Sequence, residues 1–391
     1  MSILNDRPFN IAVKTGVAAN LTPDIKAQLV SGQPLWITDI LQFCLGNSNA
    51  SGSVNTLGVS YRNILSANGG LEVWQRGSGA TASIAVAVST TVYTADRWYI
   101  TTGANQQFTV ANASGLTLPS QCCAKVQRNS GQTGNTVVTF GYPLTSDECI
   151  KLRGQFISFQ FVGATGANWS PSSGTLNYDV YFGTGSEAKR GGGFTGETHP
   201  ITGSINFTTS ATATLSTVTG SAAVATTVTQ GEMQFTFTPT GTAGANDWVE
   251  LDDVQLEPQL GCSVFERPSF SESMMECKRH FVKTFPYNTA PLQSAGLTGA
   301  IGAPAAGAGG IALEAFAMWR FPISMRSSPS ITTYNPSNNN ANWRDVTGAA
   351  DVAVTVDPDS TISPDVVCIQ SHTASVNADN VYIHAIADAG I

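Results

Sequence analysis

The sequence predicts a mainly β protein with a short N-terminal anchoring segment, a central jelly-roll β-sandwich and a C-terminal β domain. Three observations lead there. Only 12% of the 391 residues are charged, about half the share of roughly 25% in ordinary soluble chains. What replaces charge is Thr, which supports strands, and Gly, Ser and Asn, which support turns. Finally, period-two alternation of apolar and polar residues recurs from about residue 61, the pattern of antiparallel sheet with one wet face. With 42% hydrophobic residues the chain is not of the disordered type. Its length suits two or three domains at roughly 100–200 residues each.

Residues 1–60 read differently from the rest. "TPDIKAQLVSG" predicts a short helix, with Thr22 as cap, Pro23 in the first turn and Gly32 as stop. "PLWITDILQFCLG" fits a second short helix or a buried strand, and periodicity does not choose. "GNSNASGSVNTLG" is a linker by composition. A segment this small cannot carry a large core of its own, so it is expected to pack on a partner or on copies of itself.

Residues 61–270 are assigned to one sandwich. "QFISFQFVGA", "LNYDVYFGTG", "EMQFTFTPTG" and "DWVELDDVQLE" are its clearest strands, each bounded by turn residues. "GTGSEAKRGGGFTGE" is a long loop without the spacing of a phosphate cradle. Residues 271–391 follow as a linker helix and a β domain. "SESMMECKRHFVKTF" has helical spacing; the stretch to about Gly310 reads as a loop and "IALEAFAMWRF" as a strand. "SITTYNP", "DVAVTVDP", "DVVCIQSH" and "NVYIHAIADAGI" complete the β pattern.

Composition narrows the function classes. The net charge is −8 and no basic run exists, so the footprint of a nucleic-acid binder is missing. No apolar run reaches the roughly 18 residues that span a membrane, and "MSILNDRPFN" does not open a signal peptide. The seven cysteines are odd in number and irregularly spaced, which predicts free, mostly buried thiols and synthesis in a reducing cytoplasm. His372 and His384 lack neighbours at metal-ligand spacing. In "VELDDVQLE", Glu250 and Asp252 share a face if the strand is regular, with Asp253 opposite. They read as solvent-facing edge charges, as ligands of a structural calcium ion, or as a catalytic carboxylate pair. Nothing else in the sequence supports hydrolysis, so the chain is read as a non-enzyme.

Aromatic residues beside Asn, Asp and Arg are the remaining chemistry, since sugar rings stack on aromatic faces while polar neighbours bond the hydroxyls. Trp169 lies in the turn-rich "GANWSPSSG" and is the expected exposed platform; Trp98 is expected in the core. Trp74, Asn168, Arg76 and Asp96 join Trp169 as the candidate glycan-binding set.

The order of segments adds a resemblance. "NILSANGGLEVWQRGSG", "YTADRWYI", "CAKVQRNSGQTGNT", "LRGQFISFQF", "PTGTAGANDWVELDDVQLEPQ" and "FERPSFSESMMECKRHF" together resemble a module recurrent in tail-fibre and receptor-binding proteins of tailed bacteriophages and prophages. The likeness covers roughly Tyr61 to Phe281 and is specific through the ordered combination. It implies a carbohydrate-binding-module-like jelly roll carried in a homotrimeric fibre or spike of the virion. It further implies a host surface polysaccharide as partner; residues 1–60 lie outside the likeness and are assigned by position to attachment to other virion proteins. Two rival expectations stand beside it: a head or tail decoration protein without glycan ligand, and a polysaccharide depolymerase.

Overall fold

The computed structural model describes residues 63–77, 82–306, 314–356, 362–371 and 380–391, together with four strands nearer the N-terminus. The chain divides into two units, residues 1–62 and 63–391. In the first, β1 (Lys14–Gly16), β2 (Pro34–Ile37), β3 (Gln42–Gly46) and β4 (Val54–Leu57) form a sheet in that order. The ambiguous "PLWITDILQFCLG" therefore supplies two antiparallel strands, β2 and β3, and no helix among the described residues. The helix expected over "TPDIKAQLVSG" lies outside the described residues, as do His372 and the structure around it.

The second unit begins with a two-sheet sandwich. Its strands are β5 (Ser83–Val86), β6 (Thr91–Tyr93), β7 (Tyr99–Thr101), β8 (Phe108–Ser114), β9 (Cys122–Arg128), β10 (Val138–Leu144), β11 (Ser158–Thr165), β12 (Thr175–Gly183), β13 (Thr198–Asn206), β14 (Thr214–Thr219), β15 (Gln230–Phe237) and β16 (Trp248–Glu257). One sheet runs β13-β12-β15-β10-β7-β6 and the other β14-β11-β16-β9-β8-β5. Every pairing in both is antiparallel, so the jelly-roll expectation of a mainly β, two-layer fold is met. Alternation does the sorting: Phe140 and Tyr142 on β10, Met233 and Phe235 on β15, and Phe159 and Phe161 on β11 turn inward and lose all exposure. Trp98 stacks on Phe140 with centroids 4.9 Å apart, and Phe161 meets Phe235 edge-on at 4.8 Å across the sheets. Such aromatic pairs add about 0.5–1.5 kcal/mol beyond the area they bury.

Two helices flank the sandwich. α1 (Ser146–Leu152) was not legible as a run of helical spacing, yet "TSDE" carries its capping box, with Thr145 and Glu148 bonded reciprocally. α2 (Phe270–Lys278) starts with the same device at Ser269 and Glu272. It ends earlier than its spacing predicts, because "FVK" forms strand β17 (Phe281–Lys283).

The remaining strands are β18 (Ile301–Ala306), β19 (Glu314–Arg320), β20 (Ser330–Tyr334), β21 (Trp343–Asp345), β22 (Ala350–Val352), β23 (Thr355–Val356), β24 (Val366–Ser371) and β25 (Asn380–Asp388). The stretch expected as a loop thus contains a strand, β18, whose small residues pack against β25. β25 is the organiser: it pairs with β17, β18, β20 and β21. Val381, Ile383, Ala385 and Ala387 of β25 are buried in a second core with Trp343, Val367 and Ile369. Among the described residues Cys122, Cys123, Cys149, Cys262 and Cys277 form no disulfide, and no helix is long and apolar enough to cross a membrane.

Candidate functional site

The motif-bearing residues converge, but on a junction rather than an open surface. "TADRW" is the loop of the β6–β7 hairpin: Thr94 and Trp98 close it through Thr94 N–H donating to Trp98 O at 2.8 Å, and Arg97 adopts φ +72°. Asp96 is buried and accepts from the Gln75 backbone N–H at 3.1 Å and from its side-chain amide at 2.5 Å. Arg76 answers it at 3.6 Å and reaches Asp388 at 3.0 Å, with its guanidinium 3.8 Å from the Phe281 ring centroid. Arg97 turns the other way. It donates to Glu148 at 3.1 Å and to Pro143 O at 2.6 Å, and meets His280 Nε2 at 2.7 Å. Burial and the Arg97 cation hold His280 neutral, its pKa lowered to about 2. Lys283 donates to the carbonyls of Gln75, Tyr287 and Thr289 at 2.5–2.8 Å. These residues bond the sandwich to β17 and to the end of β25. Asp96 therefore offers no oxygen to a sugar, and Arg76 is committed to two carboxylates.

The expected platform is corrected as well. Trp169 is 5% exposed, its ring 4.9 Å from that of Phe237 and its Nε1–H bonded to Gly174 O at 3.0 Å. Turn-rich composition marked the loop, but the loop folds the ring inward to close the sandwich end. Trp74 is buried too, its Nε1–H donating to Leu71 O at 2.7 Å. Asn168 is exposed; its Oδ1 accepts from Asn246 N–H at 3.0 Å, a turn contact.

Glu250 and Asp252 share a face as expected, in unbroken register opposite Ala164 and Val162 of β11; the irregularity comes after them. A register shift against β11 makes Asp253 an extra, bulged residue with φ +47°. Glu250 lies 3.9 Å from Lys125. Asp252 is fully buried and accepts from Leu116 N–H at 2.8 Å, Ser120 Oγ at 3.0 Å and Asp253 N–H at 2.8 Å. Burial and the neighbouring Asp253 raise its pKa to about 6. The Asp252 oxygens are thus both engaged by protein donors. Among the described residues no group of three or more His, Cys, Asp or Glu side chains can hold a metal ion.

The surface that does have the character of a binding site is the outer face of the sheet β13-β12-β15-β10-β7-β6. Register aligns polar side chains across it in two rungs. One runs Tyr99, Gly141, Gln234, Asp179 and Thr202; the other runs Thr101, Thr139, Thr236, Asn177 and Ser204. A Cβ at Gly141 would lie 2.8 Å from the Tyr99 ring and 2.9 Å from Glu232 Oε1, so glycine is what lets Tyr99 lie over the strand. The Gly-rich segment 184–197 crosses this face as a strap. Its base is pinned by Gln230, whose Oε1 accepts from Gly185 at 2.8 Å and Thr195 at 3.0 Å. Its middle is pinned by Glu232, which accepts from Arg190 N–H at 2.7 Å. Lys189 lies 4.4 Å from the Tyr93 ring centroid and Arg190 4.0 Å from that of Tyr181.

Between strap and sheet lies a pocket of about 370 Å³ lined by Tyr99, Thr101, Thr139, Arg190, Phe194 and Gln234, among others. Phe194, half-buried at the strap, is the aromatic that sequence reasoning missed. Its only signal was a lone aromatic in "GGGFTGE". Two carboxylates near the pocket are shifted apart, Glu232 upward by burial and Glu197 downward by its bond to Arg190, the pattern of an acid–base pair. Glu232, however, has no exposure, and both of its oxygens are taken, Oε1 by Tyr99 and Gln234 and Oε2 by Arg190. It props the strap and cannot reach a substrate.

No protein-family model matches the chain, and no curated protein matches it. Solved structures similar to it include the enzymatically active domain of tailspike protein 4 of bacteriophage CBA120, 10% identical over 49% of this chain, TM-score 0.26. This chain spans only 20% of that one. A protein from Bacteroides thetaiotaomicron is 13% identical over 51% of this chain and 100% of its own, TM-score 0.34. A carbohydrate-binding module, CBM27-1, of Caldicellulosiruptor saccharolyticus in complex with mannohexaose is 13% identical over 38% of this chain and 82% of its own, TM-score 0.26. The site described above stands on its own geometry: two polar rungs, one aromatic from the strap, and a pocket between them.

Proposed function

We propose that the chain is a fibre or spike protein of a bacteriophage virion, made in the host cytoplasm, whose jelly roll binds a host-surface polysaccharide during adsorption. The pocket between the strap and the polar rungs carries this reading. Its hydroxyl, amide and guanidinium groups are those that bond sugar hydroxyls, and Phe194 supplies the face on which a ring stacks. The pocket is too polar for an apolar ligand. By position, residues 1–60 would attach the protein to the virion, and the ordered motifs of the sandwich imply a homotrimer. No catalytic step is assigned.

The test is binding of full-length protein to host polysaccharide and to a glycan array. Phe194→Ala should weaken binding roughly tenfold, the loss of one ring contact. Gln234→Ala should weaken it about threefold to tenfold, the worth of one or two hydrogen bonds. Unchanged binding in both variants removes the glycan from this face. No binding by the wild type to any polysaccharide favours a decoration protein. Release of reducing ends from the polysaccharide would instead make it a depolymerase.

A further inference from the structure

A larger groove, about 770 Å³, lies on the other sheet of the sandwich and shares no lining residue with the strap pocket. Its floor comes from the end of β8 and the start of β9, with Asn112, Ser114 and Gln121; its far wall is the segment that leads into α2, with Arg267 and Phe270, and Tyr287 beyond it. Phe270 is 46% exposed and meets Tyr287 edge-on, centroids 5.5 Å apart. That leaves one large apolar ring open to the groove at a position where the capping box needs no aromatic.

The charge in the groove is already settled. Arg267 donates to Glu72 at 2.5 Å and to Asp253. One guanidinium against two carboxylates leaves no positive field, so phosphate and polyanions are disfavoured. What remains for a ligand is an open ring, two side-chain amides, a hydroxyl and a fixed ion pair, all at one surface. This is the chemistry that recognises a neutral polyhydroxylated ring.

We infer that this groove is a second saccharide site for neutral sugars, independent of the strap pocket. The inference rests on the reading of the chain as a polysaccharide binder. Two sites on one chain give a polysaccharide two attachments, and the second then forms at a high effective concentration.

Native mass spectrometry and titration calorimetry of the full chain test this, with neutral hexose, pentose and N-acetylhexosamine tri- to hexasaccharides as probes. Two saccharides per chain are expected. Phe270→Ala should remove one of them, weakening that site roughly tenfold or more, and leave the other. Phe194→Ala should do the reverse. Gln121→Ala, at an exposed position with little bearing on folding, should reproduce the Phe270→Ala loss. One saccharide per chain, lost in Phe194→Ala and kept in Phe270→Ala, overturns the second site and keeps the strap pocket. One saccharide lost only in Phe270→Ala keeps the groove and overturns the pocket. No saccharide bound, or an extended peptide captured in the groove in its place, overturns the inference.

Discussion

Replacing Trp169 with Ala separates a structural role from a ligand role more sharply than any other change. The indole is almost fully buried in the core cluster of the sandwich, packed on Phe237. It also donates to Gly174 O, a carbonyl that Phe207 N–H shares at 3.0 Å. Removing the ring forfeits its burial and leaves a cavity, about 3–5 kcal/mol for an aromatic cut to Ala. The lost hydrogen bond falls within that figure, because Gly174 O keeps its second donor. At roughly 2–4 °C per kcal/mol for a large unit, the melting temperature should fall by roughly 6–20 °C. Trp169→Phe keeps a ring against Phe237 and loses the N–H, so it should cost only about 1–2 kcal/mol. The assay pairs thermal unfolding with polysaccharide binding measured well below the melt. Trp169→Ala should bind as the wild type does. A variant that melts within a degree of wild type but binds tenfold more weakly would refute the burial argument and restore Trp169 as a platform.

Two further outcomes are expected. Asp96→Ala leaves Arg76 without its buried partner and two Gln75 donors without an acceptor, so it should destabilise the unit by about 3–5 kcal/mol; denaturant unfolding checks this, and a loss of binding without a loss of stability would contradict it. His280 supplies a pH signature. Its folded pKa is lowered to about 2 against 6.5 when unfolded, so only the unfolded chain takes up the proton as pH falls below 6.5. Its contribution to stability is complete above that value and declines by up to about 1.4 kcal/mol per pH unit below it. His280→Gln should flatten this part of the profile between pH 6.5 and 4.5, measured as the difference between the two unfolding curves.

The alternation of "LNYDVYFGTG", "EMQFTFTPTG" and "DWVELDDVQLE" was enough to find β12, β15 and β16, because each buries one face and leaves the other polar. The same rule placed Glu250 and Asp252 together but could not foresee Asp253, since a bulge adds a residue that period two cannot count. It also passed over β18, where glycine, alanine and proline give no contrast between faces. Of the candidate site almost nothing was legible. Tyr99, Gln234 and Thr139 lie far apart in sequence and meet only through the register of three strands. The tryptophans drew attention through residue type, which does not say which way a loop folds its ring. Asp96 and Arg76, grouped as sugar-binding residues, instead form half of a buried lock.

That lock has a consequence for recombination. Part of what the sandwich holds on its far side is main chain: Gln75 donates to Phe281 O at 3.0 Å, and Tyr93 bonds Ile391 O. Carbonyls are present whatever the side chain, so through them the socket reads the path of the chain and not its sequence. Four side chains are read as well: Asp388 and Phe281 as the partner and the stacking ring of Arg76, His280 against Arg97, and Lys283 at Gln75 O. A foreign terminal sheet spliced after Arg279 should seat in this socket if it brings equivalent side chains at those four places. The sandwich is then an adaptor onto which terminal modules that keep these four contacts can be exchanged.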